Sequence, residues 1–357
     1  MNRTLQRLHP YPFERLAALL GGVEPPKGKS PIAMTIGEPK HGPPGFVLEA
    51  LEASLPAGAA RYPATRGSAE LLGAAAGWFE RRFGVALDPE RQVLALAGTR
   101  EGLFSVAQAL VDRTAVSPRV VMPNPCYQIY EGAALMAGAE PWYWRAADGV
   151  PSFDDVPARV WDTTQLVYCC SPGNPTGAVL DPAFYRRLLE RAARHGFVIV
   201  ADECYADIYR QDPPCSLLQA AAATGNDRFE RCLVFHSLSK RSNLPGLRSG
   251  FVAGDAALLE RYARFRTYHG CSLPGLVQAA SIAAWNDDEH AATNRERYNR
   301  KFDAVVPVLA EVWDLAAPPG AFYLWPRTGT DSEALARDLY AAAGVLTLPG
   351  AYLGRAA

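Results

Sequence analysis

The chain carries almost no net charge: 36 lysines and arginines stand against 37 aspartates and glutamates, giving −1 over 357 residues. That balance removes the electrostatic case for a nucleic-acid or anionic-membrane partner and directs attention to small molecules. No apolar run approaches the roughly 20 residues that span a bilayer, and the opening MNRTLQRLHPYPFERL has no apolar signal-peptide core. The seven cysteines (126, 169, 170, 204, 215, 232 and 271) are odd in number and form no C-x-x-C pair. They read as reduced, mostly buried thiols, so a cytoplasmic protein is expected. G-x-G-x-x-G, the P-loop signature and H-E-x-x-H are absent, and Gly270-Cys271-Ser272 lacks the closing glycine of a nucleophile elbow. The six histidines are scattered and none pairs with a cysteine at zinc spacing, so no metal is expected. Together these absences turn the search toward a cofactor held by a lysine.

What is present is an alternation of short apolar runs with helical patterns. The runs are 92–97, 119–122, 166–170, 197–201, 231–235 and 250–253, with helical segments such as 99–112 and 182–195 between them. Continuous apolar strands separated by helices predict an α/β fold, a largely parallel sheet covered on both faces. Before it, residues 5–20 carry helical spacing, and Gly21-Gly22 ends that helix. After it come an apolar helix at 275–285 and a long polar one at about 287–312. Residues 313–348 read as strand, strand, helix, strand. The expected division is a large domain at 46–284, and a smaller α+β domain made of 1–45 with 285–357.

Five segments at predicted strand ends carry chemistry. His236-Ser237-Leu238-Ser239-Lys240 follows the strand 231–235, with Arg248 eight residues on. Serine hydroxyls and a guanidinium fork suit a phosphate, and a lysine near a bound phosphate and a carbonyl can form a Schiff base. A solvated basic loop would account for this segment alone. Asp202, with Glu203, Cys204 and Tyr205 behind it, closes the strand 197–201. Pyridoxal 5′-phosphate (PLP) needs a carboxylate at its ring nitrogen, although a helix-capping aspartate is the plainer reading. Asn174, in Ser171-Pro172-Gly173-Asn174-Pro175-Thr176-Gly177, is held on a tight turn from which its amide could donate to a ring oxygen. Gly98 opens a helix whose Thr99 and Arg100 amides suit phosphate. Tyr127, in Pro123-Asn124-Pro125-Cys126-Tyr127, could stack on a flat ring or simply pack in the core. A PLP site needs a lysine, a ring acid, ring-oxygen donors, a stacking ring and a phosphate cradle. All five are present, and each lies at a strand end.

The order G-T-R-E, P-x-P-x-Y, SPGNPTG, ADECY and HSLSKRSNLPGLRSG resembles the class I/II aminotransferases of PLP fold type I, over nearly the whole chain. The resemblance implies that Lys240 binds the cofactor and shuttles protons, and that Asp202 partners the pyridinium. It implies that Tyr205 and Asn174 donate to the ring oxygen and that Tyr127 stacks. Ser237, Ser239 and Arg248, with Gly98 and the amides of Thr99 and Arg100, would hold the phosphate. Tyr62, in RYPATRG, would reach the phosphate of a partner subunit in a homodimer. Gly37-Glu38-Pro39-Lys40-His41, RYPATRG and Arg266-Thr267-Tyr268-His269-Gly270-Cys271 further resemble the succinyldiaminopimelate aminotransferases. In that family Gly37 lies against the substrate carboxylate. The implied reaction moves an amino group between N-succinyl-L,L-2,6-diaminopimelate and 2-oxoglutarate, with ping-pong kinetics. Relatives continue past LPGAYLGR with a strand bearing a carboxylate-clamping arginine, so at Ala357 either the chain is truncated or that site is built otherwise. An aspartate, aromatic or branched-chain aminotransferase, a carbon–sulfur β-lyase, and a non-catalytic protein of the same fold stay open as alternatives.

Overall fold

Asp181 accepts from the Phe184 amide at 2.6 Å and is followed by proline, and the helix Pro182–His195 ends on Gly196 at φ 83°. An aspartate cap before and a left-handed glycine after are what the local sequence calls for. Such helices alternate with strands through most of the chain in this computed structural model, which describes residues 3–355. Ala357, on which the expected C-terminal truncation turns, lies outside the described residues.

The strands are β1 (Ile32–Ala33), β2 (Val93–Leu96), β3 (Arg119–Asn124), β4 (Glu140–Arg145), β5 (Thr164–Cys170), β6 (Val198–Asp202), β7 (Cys232–Ser237), β8 (Gly250–Gly254) and β9 (Val345–Leu346). Seven of them form one sheet in the order β2-β8-β7-β6-β5-β3-β4. From β7 through β4 every neighbour is parallel, and β8 runs antiparallel to both β7 and β2. The carboxyl ends of β2, β3, β5, β6 and β7 therefore share one edge. Because β8 enters at that edge, the residues that precede it lie there too. Gly250 pairs with Ser237 on one side and Leu96 on the other.

Successive strand residues alternate between two cores. Val121, Val167, Ile199 and Val234 face a layer with Trp78, Phe79, Leu188 and Trp285. Val120, Leu166, Val200 and Leu233 face the other, with Leu103, Val106, Ala133 and Tyr262. Each fully buried aliphatic or aromatic side chain is worth about 1.5–3 kcal/mol, so near-continuous apolar strands are stable only between two helical layers. Outside the large sheet, β1 pairs in parallel with β9, and the helices Ser332–Ala343 and Glu289–Ala310 complete that part of the chain.

Two expectations change, and one strand is added. The helix over 5–20 is interrupted at Pro10, giving a 3₁₀ turn at Arg3–Arg7 and a helix at Pro12–Leu19, because proline removes a donor from a helix interior. The two strands expected after residue 313 reduce to the single bridges Asp314↔Arg327 and Tyr209↔Gly320. Pro318, Pro319 and Pro326 leave that stretch short of ladder donors. β4 went unread because its Pro-Trp-Tyr-Trp core shows neither alternation nor an aliphatic run. Among the described residues no helix is long and apolar enough to cross a membrane.

Candidate active site

β7 ends at Ser237, and one turn of helix, Leu238–Arg241, carries Lys240. Ser237 caps that turn: its Oγ accepts from the Ser239 amide at 3.1 Å and donates to the Ser249 carbonyl at 3.4 Å. Ser239 is buried beside it. The Lys240 side chain runs inward, its Nζ 5.4 Å from the centre of the Phe322 ring and 5.9 Å from that of Tyr205. Nζ donates to the Gly37 carbonyl. Burial, the largest influence, pulls the Lys240 pKa from 10.5 to about 8, against the opposing pull of Cys204, Glu38 and Asp202.

Asp202 ends β6, the strand beside β7, and its side chain is buried. Its Oδ2 accepts from Tyr130 Oη at 2.7 Å and its Oδ1 from the Cys204 amide at 3.2 Å. Burial pushes the carboxyl up, and those donors with the His236 ring pull it part of the way back. A desolvated carboxylate only partly offset by neutral donors favours a cationic partner, and a protonated pyridine nitrogen is such a partner. Tyr205 Oη bonds to Tyr323 Oη. Asn174 follows β5, whose Cys170 pairs with Asp202, so it shares this edge. Its turn is closed by the Gly173 and Gly177 amides and backed by Pro318 and Gly320.

Gly98 stands at φ 85° before the helix Thr99–Leu110, which has no side-chain cap. A β-carbon there would lie 2.4 Å from Arg248 Nη2, so glycine is what lets the guanidinium lie across the helix start. An arginine over uncapped helix amides is an anion cradle. Thr99 Oγ1 accepts from Cys204 Sγ at 3.1 Å, which ties this cradle to the Asp202 loop. Tyr127 is half-buried, and its Oη accepts from Arg100 Nε at 2.7 Å. Gly37 lies over the site so closely that a β-carbon would fall 2.1 Å from Tyr323 Oη. Tyr62 is fully exposed and joins no site within this chain.

The fold thus brings Lys240, Asp202, Tyr205, Asn174, Tyr127, Gly98, Thr99, Arg248 and Gly37 to one edge. Tyr130, Phe322 and Tyr323 went unread. Tyr130 lies in the first turn of the helix Ile129–Met136, its ring centre 5.8 Å from that of Tyr127, and a second tyrosine so near the first in sequence is a signal that could have found it. Phe322 and Tyr323 sit in a loop whose packing only the fold reveals.

A strand-end lysine, a buried carboxylate beside it and a helix-start anion cradle fit the class of PLP-dependent enzymes. The sequence profile described as "Aminotransferase class I and II" matches residues 29–355. The chain belongs to that family, and is a PLP-dependent transaminase. It is 32% identical to an LL-diaminopimelate aminotransferase of Desulforudis audaxviator, over 99% of this chain and 90% of that protein. A crystal structure of an aminotransferase from Neisseria meningitidis matches with a TM-score of 0.95 and 43% identity, covering 99% of this chain and 91% of the other. A probable N-succinyldiaminopimelate aminotransferase from Thermus thermophilus matches with a TM-score of 0.84 and 28% identity, over 96% and 92% of the two chains.

Proposed function

We propose that the chain transfers an amino group between N-succinyl-L,L-2,6-diaminopimelate and 2-oxoglutarate, in the synthesis of diaminopimelate and lysine. The convergence of Lys240, Asp202 and Arg248 at one sheet edge carries the reaction type. The substrate rests on the GEPKH and RYPATRG segments and on the likeness to the Thermus protein. PLP bound at this edge supplies an electron sink when a bond at the amino-acid Cα breaks. Lys240 Nζ, about half neutral near pH 8, is the base that takes the Cα proton. Asp202 holds the ring-nitrogen proton in place. Asn174 and Tyr205 orient the ring oxygen, Tyr127 stacks on the ring, and Ser237, Ser239, Arg248 and the Thr99 and Arg100 amides hold the phosphate. Gly37 and Asn174 meet the substrate carboxylate. Tyr62, fully exposed, completes the site of a second copy in a homodimer. In this reading residues 46–284 are the cofactor domain, residues 1–45 with 285–357 belong to the smaller one, and the protein works in the cytoplasm.

A second reading takes unsuccinylated LL-diaminopimelate as the donor, favoured by the name of the Desulforudis relative. The test is the visible spectrum of the purified holoenzyme after addition of one donor alone. Loss of the band with N-succinyl-diaminopimelate, and its return with 2-oxoglutarate, supports the proposal. Loss with LL-diaminopimelate only selects the second reading. A band that responds to neither, with pyruvate released from cystathionine, makes the enzyme a β-lyase and overturns both.

A further inference from the structure

The helix that carries Lys240 is a single turn, so its last carbonyls have no partner within it. The side-chain amide of Asn294, on the long helix Glu289–Ala310, meets them. Asn294 Nδ2 donates to the Lys240 carbonyl at 3.0 Å and to the Arg241 carbonyl at 3.2 Å. Asn294 is 3% exposed. Its Oδ1 accepts from Asn243 Nδ2 at 3.1 Å and lies 2.9 Å from His41 Nδ1. Both donors and both acceptor positions of the amide are thereby used.

That full set fixes more than the amide. With Nδ2 committed to two carbonyls, Oδ1 faces His41, so His41 Nδ1 carries the hydrogen. A protonated imidazole would still donate from Nδ1, and the contact survives across the neutral range. Burial pulls the His41 pKa down, with Lys301 and Arg297 adding to it and Asn294 opposing. His41 belongs to the strap Gly37–His41, and the Gly37 carbonyl takes the hydrogen bond from Lys240 Nζ. The circuit is closed: Lys240 backbone to Asn294, Asn294 to His41, His41 along the strap to Gly37, and Gly37 back to the Lys240 amine. Arg241 anchors the other side of the turn through Asp207 at 2.8 Å and Asp288 at 2.7 Å.

We infer that Asn294 is a positioning residue for Lys240, and that through His41 it couples the placement of the lysine amine to the strap over the substrate site. The inference rests on the reading of Lys240 as the cofactor-bearing lysine.

The test compares the holoenzyme with Asn294→Asp, Asn294→Ala and His41→Phe. Asn294→Asp preserves volume but turns a carboxylate oxygen toward two carbonyls, so a packing role predicts a mild effect and a hydrogen-bonding role a severe one. The expected result is a tenfold or greater fall in kcat for Asn294→Asp, with KM little changed. The pH titration of the visible lysine–cofactor band should move by half a unit or more, and melting of the protein should remain cooperative. His41→Phe, which loses only the strap contact, should raise KM several-fold and leave that titration in place. If Asn294→Asp fails to fold, the same band titration on Asn294→Ala decides. Folded Asn294 variants with kcat and band titration within twofold and 0.2 units of the parent overturn the inference. A Lys240→Ala variant that still yields a borohydride-stable adduct with PLP overturns instead the assignment of Lys240 on which it rests.

Discussion

Lys240 should react as a base far below the pH at which lysines usually do. Its pKa is drawn from 10.5 to about 8 by burial against Phe322 and Tyr205. At pH 7 about one-tenth of the amine is then neutral, against roughly three parts in ten thousand for an ordinary lysine, an advantage of about 300-fold. Only the neutral amine attacks an aldehyde. Mixing cofactor-free protein with PLP and following the visible band should give a capture rate that climbs nearly tenfold per pH unit from 6, then levels near 8. A rate that keeps climbing to pH 10 would refute the reasoning, because the lysine would then be solvated. The same shift sets a stability term with a definite sign. The folded pKa lies below the unfolded one, so between pH 8 and 10.5 the unfolded chain binds more protons, and stability rises with pH across that window. Below pH 8 the penalty is fully present. Lys240→Met should therefore stabilise the cofactor-free protein by up to about 3 kcal/mol at pH 7, and the gain should vanish above pH 10.5. Urea melts at pH 7 and pH 10.5 measure it.

Gly98→Ala places a methyl against Arg248 at a backbone φ of 85°, and PLP affinity by equilibrium dialysis should fall at least about tenfold, or 1.4 kcal/mol. Tyr130→Phe removes the 2.7 Å donor to Asp202. It should cost about 1.5–3 kcal/mol of cofactor-free stability at pH 7, as hydrogen bonds to charged groups do, and urea denaturation reads it. Arg266 is fully buried and meets Glu101 through two 2.7 Å bonds. Arg266→Met should cost about 3–5 kcal/mol by leaving the carboxylate unpaired, and Arg266→Lys should not restore the thermal midpoint, since an ammonium lacks the planar fork.

Much of this site is legible along the chain because each part follows an apolar run. Asp202 stands directly after Val-Ile-Val-Ala, and Lys240 three residues after the end of β7, so a strand and its loop can be read together. The helix Pro182–His195 is legible from Asp181-Pro182 and Gly196 for the same reason: its signals are local. What escaped is what only packing decides. β4 is an edge strand whose Trp144 is buried while Pro141, Trp142 and Tyr143 are half-covered and its two end residues exposed, so its pattern follows its surroundings rather than its own period. Tyr323 is 118 residues from the Tyr205 hydroxyl it meets, and Asn294 is 54 from the Lys240 carbonyl it holds. Neither carries a mark that separates it from other tyrosines and asparagines.

The sheet order explains why separate segments make one site. Read in sequence, Gly98 and Arg248 are 150 residues apart and attached to strands that are not consecutive. In the sheet, β8 inserts between β2 and β7 and runs against both. Were β8 parallel to them, Arg248 would precede it at the opposite edge, one strand length away. Reversing that single strand delivers the guanidinium to the start of the helix Thr99–Leu110, beside the turn that carries Lys240. The parallel strands β5 to β7 meanwhile supply Asn174, Asp202 and Lys240 from their carboxyl ends in spatial order. One antiparallel strand in a parallel sheet therefore unites the anion cradle with the lysine, and Gly250 pays the steric condition: a β-carbon there would lie 2.5 Å from the His236 carbonyl. Gly250→Val should accordingly loosen phosphate and lysine together. PLP affinity and the pH titration of the visible band should shift in the same variant; movement of only one would mean that β8 does not hold the two halves in register.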